Sequence, residues 1–378
     1  MGFSPQAPGE IGAFIGNSVE VRFGIGTTKA ATKGPTKGPT KVVAKVVAKV
    51  LTKVSVWLAL GRVSGHAPAL HAPIARGLPA EAGVPGFGFA VDRTAFGEHD
   101  GRVRFSIVTP SYRSSAWLKL CIASVADQQV EVEHIVQDAG SDDGTLGWLR
   151  EDRRVRAFVE KDRGMYDAIN RGLGRARGEV LAYLNCDEQY LPGALQRVAA
   201  FFERHPDTDA AFGDVVLVNA QGEYVCHRKM QTPLKYHTWT CHLSTLSCGT
   251  FFRRRLIDEE RLLFDPALRT GGDGKWMVSL LQRGIRMGAL GRFTSVFSFT
   301  GANLGAGANA QRENRALYLS APAWARWLRP LLILHHRLRR LLGGVYFQGP
   351  FAYEVFTLAH PERRQQFQVA RPSCRLPR

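Results

Sequence analysis

Leu184-Asn185-Cys186-Asp187-Glu188 follows directly on the apolar run Val180-Leu181-Ala182-Tyr183. An apolar run that stops in acids reads as a buried strand. It delivers carboxylates to the carboxyl edge of a sheet, where α/β proteins hold their ligands. Asp187 and Glu188 are hard oxygen ligands, suited to Mg²⁺ or Mn²⁺ holding a diphosphate. Three more clusters end apolar runs upstream: Thr109-Pro110-Ser111-Tyr112, Asp138 with Gly140-Ser141-Asp142-Asp143-Gly144-Thr145, and Asp162-Arg163-Gly164. In a parallel sheet four such ends share one edge, and a nucleotide can lie across them. Asp138 is then placed to accept a hydrogen bond from a base N–H, and Gly140 to let backbone come close. A helix cap followed by a turn is the other reading of residues 138–145.

The elements that must position these groups can be read from periodicity. Phe105-Ser106-Ile107-Val108 is a buried strand stopped by Pro110. Ser114 or Ser115 caps a helix with Leu118, Cys121, Ile122 and Val125 on one face. His134-Ile135-Val136 and residues 155–159 are further strands. Thr145 opens a short helix to Arg150, and residues 165–177 are helical with Ile169, Leu173 and Ala176 inward. Residues 179–184 are the fourth strand, and Leu195, Val198, Ala199 and Phe202 mark the next helix. The β-α-β-α alternation predicts a mostly parallel, nucleotide-binding α/β sheet flanked by helices. Residues 211–218 and 224–226 around Gln221-Gly222 predict a small antiparallel hairpin. Residues 273–283 read as a helix, with Asp273 as its N-cap above a core Trp276.

The flanks differ from this middle. The net charge is +17, and it is unevenly spread. Residues 1–100 carry 11 Lys+Arg against 6 Asp+Glu, residues 101–310 carry 27 against 24, and residues 311–378 carry 12 against 3. A nearly neutral middle argues against a catalytic domain that wraps nucleic acid. Few aromatics interleave with the lysines, which counts against a stacking platform for single strands. Lysines recur every fourth residue from Lys29 to Lys53, and a Pro/Gly-rich stretch follows. Residues 1–100 read as a low-complexity, disordered basic leader and linker, or as a basic anchor. From Arg312 the tail reads as basic and helical. Trp324, Trp327, Leu328, Leu331, Leu334, Leu338, Leu341 and Leu342 form a stripe that either packs on the catalytic domain or lies in a membrane interface. Six scattered cysteines without a C-x-x-C pair predict a reduced, cytosolic chain. No apolar run reaches eighteen residues and no secretory signal pattern opens the chain.

The ordered motifs from Phe105 to about Gly305 resemble the family 2 glycosyltransferases of the GT-A fold, of the type that builds bacterial polysaccharides. The resemblance rests on Phe105 to Tyr112, Val136 to Ser141 with Asp143-Gly144-Thr145, and Glu160 to Gly164 with Tyr166 to Gly172. Ala176, Gly178-Glu179 and residues 185–188 complete it. It implies that Asp187 is the metal-ligating acid of a D-x-D-type motif, with Glu188 in reach of metal or sugar and Asn185 where the first Asp often stands. It implies that Thr109, Pro110, Tyr112, Asp138, Gly140, Ser141, Asp162, Gly164 and Asn170 line the donor site, with Asp138 on a nucleobase, most often uracil. It also carries the catalytic-base position to Asp273, whose neighbours Gly272 and Gly274 depart from the bulkier residues common there. Arg113 stands where an Asn is usual. His242 reads as a structural histidine, Arg253-Arg254-Arg255 as a solvated charge run, and Gly301-Ala302-Asn303 takes no role.

The sequence therefore predicts three parts: a leader over 1–100, a GT-A domain over 101–310, and a basic amphipathic helical tail over 311–378. The function it predicts is metal-dependent, inverting transfer of a sugar from a nucleotide-sugar, UDP-linked, to a saccharide or lipid-linked saccharide. The expected place is the cytoplasm, with peripheral contact to an anionic membrane face. A catalytically inactive nucleotide-sugar-binding scaffold and a sugar-phosphate nucleotidyltransferase are the alternatives. The second would need a basic Gly-rich loop after the first strand, where Thr109-Pro110-Ser111-Tyr112 stands.

Overall fold

The computed structural model describes residues 105–301, 303 and 308–376. The predicted leader over 1–100 lies outside the described residues.

Four strands form the parallel half of a nine-stranded sheet: β1 (Phe105–Ser111), β2 (Val132–Asp138), β3 (Arg156–Val159) and β4 (Val180–Tyr183). Their order is β3-β2-β1-β4, and every neighbouring pair is parallel. The crossovers are helices: α1 (Ser115–Ala126), α2 (Thr145–Leu149) and α3 (Met165–Arg175). Register brings the strand ends to one edge, with Ser111 opposite Asp138, Asp138 opposite Val159, and Val108 opposite Tyr183. Phe105, Ile107, Val108, Ile135, Leu181 and Ala182 are wholly buried, as both faces of a helix-covered parallel sheet require.

Beyond β4 the sheet becomes mixed. Strand β5 (Glu188–Tyr190) precedes helix α4 (Ala194–Arg204). The predicted hairpin is β6 (Ala210–Asn219) with β7 (Tyr224–Arg228), paired antiparallel. Helix α5 (Lys235–Thr240), strand β8 (Thr250–Arg253) and helix α6 (Arg255–Asp258) follow. Helix α7 (Gly272–Gln282) leads to β9 (Met287–Phe299). The sheet order continues from β4 through β8, β6 and β9 to β5. Strands β4 and β6 are both antiparallel to β8, while β9 runs parallel to β6 and antiparallel to β5.

The tail is not helical throughout. Helices α8 (Ala308–Leu319), α9 (Ala323–Trp327) and α10 (Arg329–Leu342) match the prediction, but a hairpin follows, β10 (Phe351–Thr357) with β11 (His360–Val369). Its reason is alternation. Tyr353, Val355 and Val369 face inward with Leu191, Val216, Val218 and Val296, forming a second apolar cluster on the back of the main sheet. Polar contacts fix the hairpin there. The Gln189 amide exchanges two hydrogen bonds with the Phe356 backbone, at 2.8 and 3.0 Å. Arg364 grips Asp127 with two bonds of 2.6 and 2.8 Å. These residues therefore belong to the fold rather than to an appendage.

Candidate active site

The edge begins with Asp138, which ends β2 and is fully buried. One carboxylate oxygen accepts from the backbone N–H groups of Gly140 and Ser141, at 2.9 and 2.7 Å. The other accepts from the hydroxyls of Ser111 and Ser141, both at 2.8 Å. Four donors fill the capacity of a carboxylate. The turn reading of residues 138–145 is therefore the one the geometry matches, and the carboxylate organises the loop rather than facing a base. Asp143 goes further and joins two crossovers. It accepts from its own Thr145 N–H at 3.2 Å and from Ser115 N–H at the start of α1 at 3.1 Å.

Tyr112, Arg113 and Gly140 face solvent here, as do Asp142, Asp143 and Gly144. Tyr112 is 53% exposed. The Arg113 guanidinium lies 5.0 Å from the Tyr112 ring centroid and pairs with Asp142 through two bonds of 2.6 Å. Gly140 has φ of +90°, with open space where a side chain would stand. Pro110 gives its carbonyl to the Cys186 thiol at 3.3 Å, joining the first motif to the fourth.

Two predicted donor-site residues do not reach this edge. Thr109 is wholly buried, its hydroxyl 2.8 Å from His134 Nε2, because strand alternation turns it inward. Asn170 exchanges bonds of 2.8 and 3.0 Å with the carbonyl and N–H of Phe264. It copies a strand partner and pins the segment ahead of α7.

Asp162 and Gly164 form the third loop. Asp162 accepts from Gly164 N–H at 2.9 Å, and burial, with the nearby acids Asp167 and Asp138, raises its pKa. Gly164 sits at φ +137°, and a Cβ there would fall 2.5 Å from the Arg269 guanidinium. That guanidinium donates to the carbonyl of Arg163. Only glycine allows this crossing, which ties the third loop to the segment preceding Asp273.

At the fourth loop the two acids part. Asp187 is half-buried and accepts from the Asn303 amide at 3.0 Å. Asn303 is oriented by the Thr300 N–H and the Ser298 carbonyl, at 3.1 and 3.0 Å. Burial pushes the Asp187 carboxyl up to about 6. Glu188, predicted as a second metal ligand, is wholly buried and turned inward. A turn from Asn185 to Glu188 starts β5, whose pleat points Glu188 to the same side as Tyr190. Its carboxylate accepts from Asn185 N–H at 2.8 Å and Ser247 Oγ at 3.1 Å, and burial beside Asp187 pushes it up to about 8. It braces the loop that presents Asp187.

Opposite β4 stands Asp273, the second residue of α7. The Tyr183 hydroxyl donates to one carboxylate oxygen, and the Tyr166 hydroxyl lies 3.2 Å from the other. Burial raises the Asp273 pKa, while both tyrosines act to lower it. Asp273 is not the helix cap. That place is Gly271, with no side-chain cap bond, and the Asp273 N–H donates to the Tyr166 hydroxyl at 3.3 Å. Glu313 of α8 accepts from the N–H groups of Arg269, Thr270 and Gly271, at 2.8, 2.9 and 2.7 Å. Burial would push Glu313 up, yet these bonds hold its carboxyl below the usual range. Gly272 is required by Tyr166, whose ring carbon would lie 2.5 Å from any Cβ there. A small cavity borders Asp273, with Leu243, Thr245, Ser247 and Phe264 among its walls.

These loops and their order match a known family over the segment from β1 to just past α6: residues 106–262 match Glycosyl transferase family 2. The PGL/p-HBAD biosynthesis glycosyltransferase of Mycobacterium tuberculosis is 36% identical over 120 residues, covering 30% of this chain and 47% of that protein. The succinoglycan biosynthesis protein ExoO of Rhizobium meliloti is 29% identical over 202 residues, covering 48% and 56%. The chain thus spans about half the length of these curated relatives. Among solved structures, S. aureus TarS 1-349 in complex with UDP-GlcNAc aligns at 19% identity with a TM-score of 0.48, covering 64% of this chain and 75% of that one.

The family 2 segment holds Asp138, Asp162, Asp187 and Tyr183 but stops before Asp273, Asn303 and Glu313. The sequence reading missed Tyr183, Tyr166, Asn303 and Glu313 as neighbours of the acids. Tyr183 carried a signal, since a tyrosine closing an aliphatic strand brings a hydroxyl that needs a partner. Glu313 carried none, because its partners lie more than forty residues away in sequence. His242, predicted as structural, is bound to His336, Nε2 to Nε2 at 2.9 Å. The arginine run is partly structural: Arg253 donates to the Thr208 carbonyl at 2.9 Å and Arg255 pairs with Asp209 at 2.5 Å.

Proposed function

We propose that this chain transfers a sugar from a nucleotide diphosphate-sugar, UDP-linked, to a hydroxyl of a saccharide or lipid-linked saccharide, with inversion at the anomeric carbon. The observation that carries the reading is the Asp273 carboxylate, clasped by two tyrosine hydroxyls where β4 ends, beside the loop that presents Asp187. Inverting displacement needs a base on the acceptor hydroxyl, and a carboxylate whose pKa is raised by desolvation suits that task. The tyrosine bonds fix its direction, and the cavity beside it is the place for the acceptor hydroxyl. Tyr112 and the open backbone at Gly140 would receive the nucleotide at the other end of the edge.

Asp187 suits a divalent cation. Burial has raised its pKa to about 6, so its negative charge lacks compensation. Among the described residues no group of three or more His, Cys, Asp or Glu converges there. Mg²⁺ or Mn²⁺ would therefore be held by Asp187 and the donor phosphates, the usual habit of Mg²⁺. Such a cation would stabilise the charge of the departing diphosphate. Asn303 keeps the carboxylate aimed, and Glu188 fixes its loop from beneath.

The test is a panel of nucleotide-sugars assayed for thermal stabilisation with and without Mg²⁺ or Mn²⁺, followed by transfer assays with the donor that binds. A ligand at about one hundred times its dissociation constant adds roughly 2.7 kcal/mol of stability. If no nucleotide-sugar stabilises the chain or turns over, the reading fails.

A further inference from the structure

We propose that the outer face of α9 and α10, with Tyr346 and Phe347, is a docking surface for an anionic lipid bilayer. The observation is an apolar stripe that the fold leaves in solvent. Trp324, Trp327, Leu331, Leu334, Leu338, Leu341 and Leu342 follow one another at steps of three or four, with one final step of one. Trp327 is 64% exposed, Leu334 63%, Leu342 69% and Phe347 67%. Soluble monomers seldom expose apolar surface in such a continuous run, and where they do it marks an interaction site.

The opposite face of the same helix is already occupied. His336 is buried against His242, and His335 Nδ1 meets His237 Nε2 of α5 at 2.9 Å. The Arg339 guanidinium donates to the Thr232 carbonyl at 2.9 Å. Helix α10 is thus anchored by one side and displays the other, so the stripe is not a core face awaiting closure by this chain's own described residues.

Charge selects the occupant. Residues 323–342 hold five arginines, and no Asp or Glu occurs between Glu313 and Glu354. Arg337 is exposed, while the Arg329 and Arg340 guanidiniums lie over the Tyr318 and Tyr346 rings at 5.4 and 5.1 Å, and no carboxylate of the segment offsets them. Leucines for the acyl boundary, aromatics at the headgroup level and arginines for lipid phosphates are the three parts of an interfacial helix. Among the described residues no helix is long and apolar enough to cross a membrane, so contact through this face lies along the surface. Helix α5, which holds the inner side of α10, also packs on α7, the carrier of Asp273. The lipid face and the acid are therefore joined through one intervening helix.

The inference goes beyond the transfer reading, and its test uses neither donor nor acceptor, so either can fail alone. The full chain is sedimented with vesicles of phosphatidylcholine and phosphatidylglycerol in equal parts, and with phosphatidylcholine alone. The variant W327S/L334Q/L338Q is carried alongside, its fold checked by thermal unfolding; these side chains are exposed, so the transition should be kept. The parent should bind the anionic vesicles far better than the neutral ones, and added salt should release it. The triple variant should lose affinity by about tenfold or more with its arginines intact. Failure of the parent to bind anionic vesicles at low salt overturns the proposal, as does a variant that binds like the parent. So does light scattering that shows a parent dimer and a monomeric variant, which would make the face a contact between copies.

Discussion

The hydroxyl of Tyr183, at the end of β4, donates to the carboxylate of Asp273, at the start of α7. This bond joins the strand that leads to Asp187 to the helix that carries the proposed base, and it lowers a pKa that burial raises. Removing it has a definite sign. In Tyr183→Phe the Asp273 pKa should climb further, so the base loses its charge at higher pH. The acid limb of the kcat/KM profile should move up by about one pH unit, as the loss of one charge-assisted hydrogen bond implies. A pH–rate series on parent and variant checks it, and an unmoved limb would separate Asp273 from the proton transfer.

Asp273→Asn keeps the shape and retains one acceptor oxygen for the Tyr183 hydroxyl, yet it cannot take a proton. Transfer should fall about 100-fold or more with donor affinity nearly unchanged. Calorimetric donor binding beside a transfer assay distinguishes this from a general collapse of the site.

Asp187→Asn should abolish the dependence of donor affinity on Mg²⁺ or Mn²⁺ while leaving the melting transition intact. The measurement is donor affinity with metal and with chelator. An unchanged ratio in the variant would remove Asp187 from that role.

Glu313 is a positioning residue. It touches the backbone of Arg269, Thr270 and Gly271 rather than the acids themselves. Glu313→Ala leaves three N–H groups without their acceptor, and should lower kcat about tenfold or more as Asp273 loses its aim, with a smaller effect on donor KM. Glu313→Gln, which retains one acceptor oxygen, should recover part of the loss. Equal kcat in all three proteins would confine Glu313 to stability alone.

The histidines between α5 and α10 give a pH dependence. Burial, with neighbouring cations such as Arg339 and Arg340, holds His237 and His242 down to about 4 and His336 to about 3. An unfolded chain takes up these protons near 6.5. The folded chain binds fewer protons below that value, so stability should fall as pH drops from about 6.5 and level off near 3, where His336 takes its proton in the folded chain. Each pair needs one N–H and one free lone pair, which double protonation destroys. Melting temperatures across this range check it, and His336→Gln should flatten the slope.

Much of the parallel half of the sheet was legible in the sequence because its signals are local. Phe105 to Val108 and Val180 to Tyr183 are apolar runs with abrupt polar stops, and both are strands. The loops at 138–145 and 185–188 were placed correctly at one edge, yet side-chain direction inside them was not visible. Thr109 and Glu188 turn inward because of pleat and turn geometry, which residue type alone does not fix. The insertion of β8 between β4 and β6 joins segments about seventy residues apart, a pairing that no periodicity announces. The hairpin at 351–369 did carry a period-two pattern in Tyr353 and Val355.

The place of β9 sets how this chain can be divided. It pairs with both β5 and β6, yet residues 287–299 fall outside the segment that matches the family. A gene fragment ending at residue 262 would encode β5 and β6 with their partner strand missing, and the long row of backbone donors and acceptors along β6, with the short row of β5, would face water. Such edges recruit other chains. Recombination that exchanged only the family segment would thus yield an aggregating product. The smallest piece that evolution or an engineer can move between proteins must include β9, and with it the acid at the head of α7.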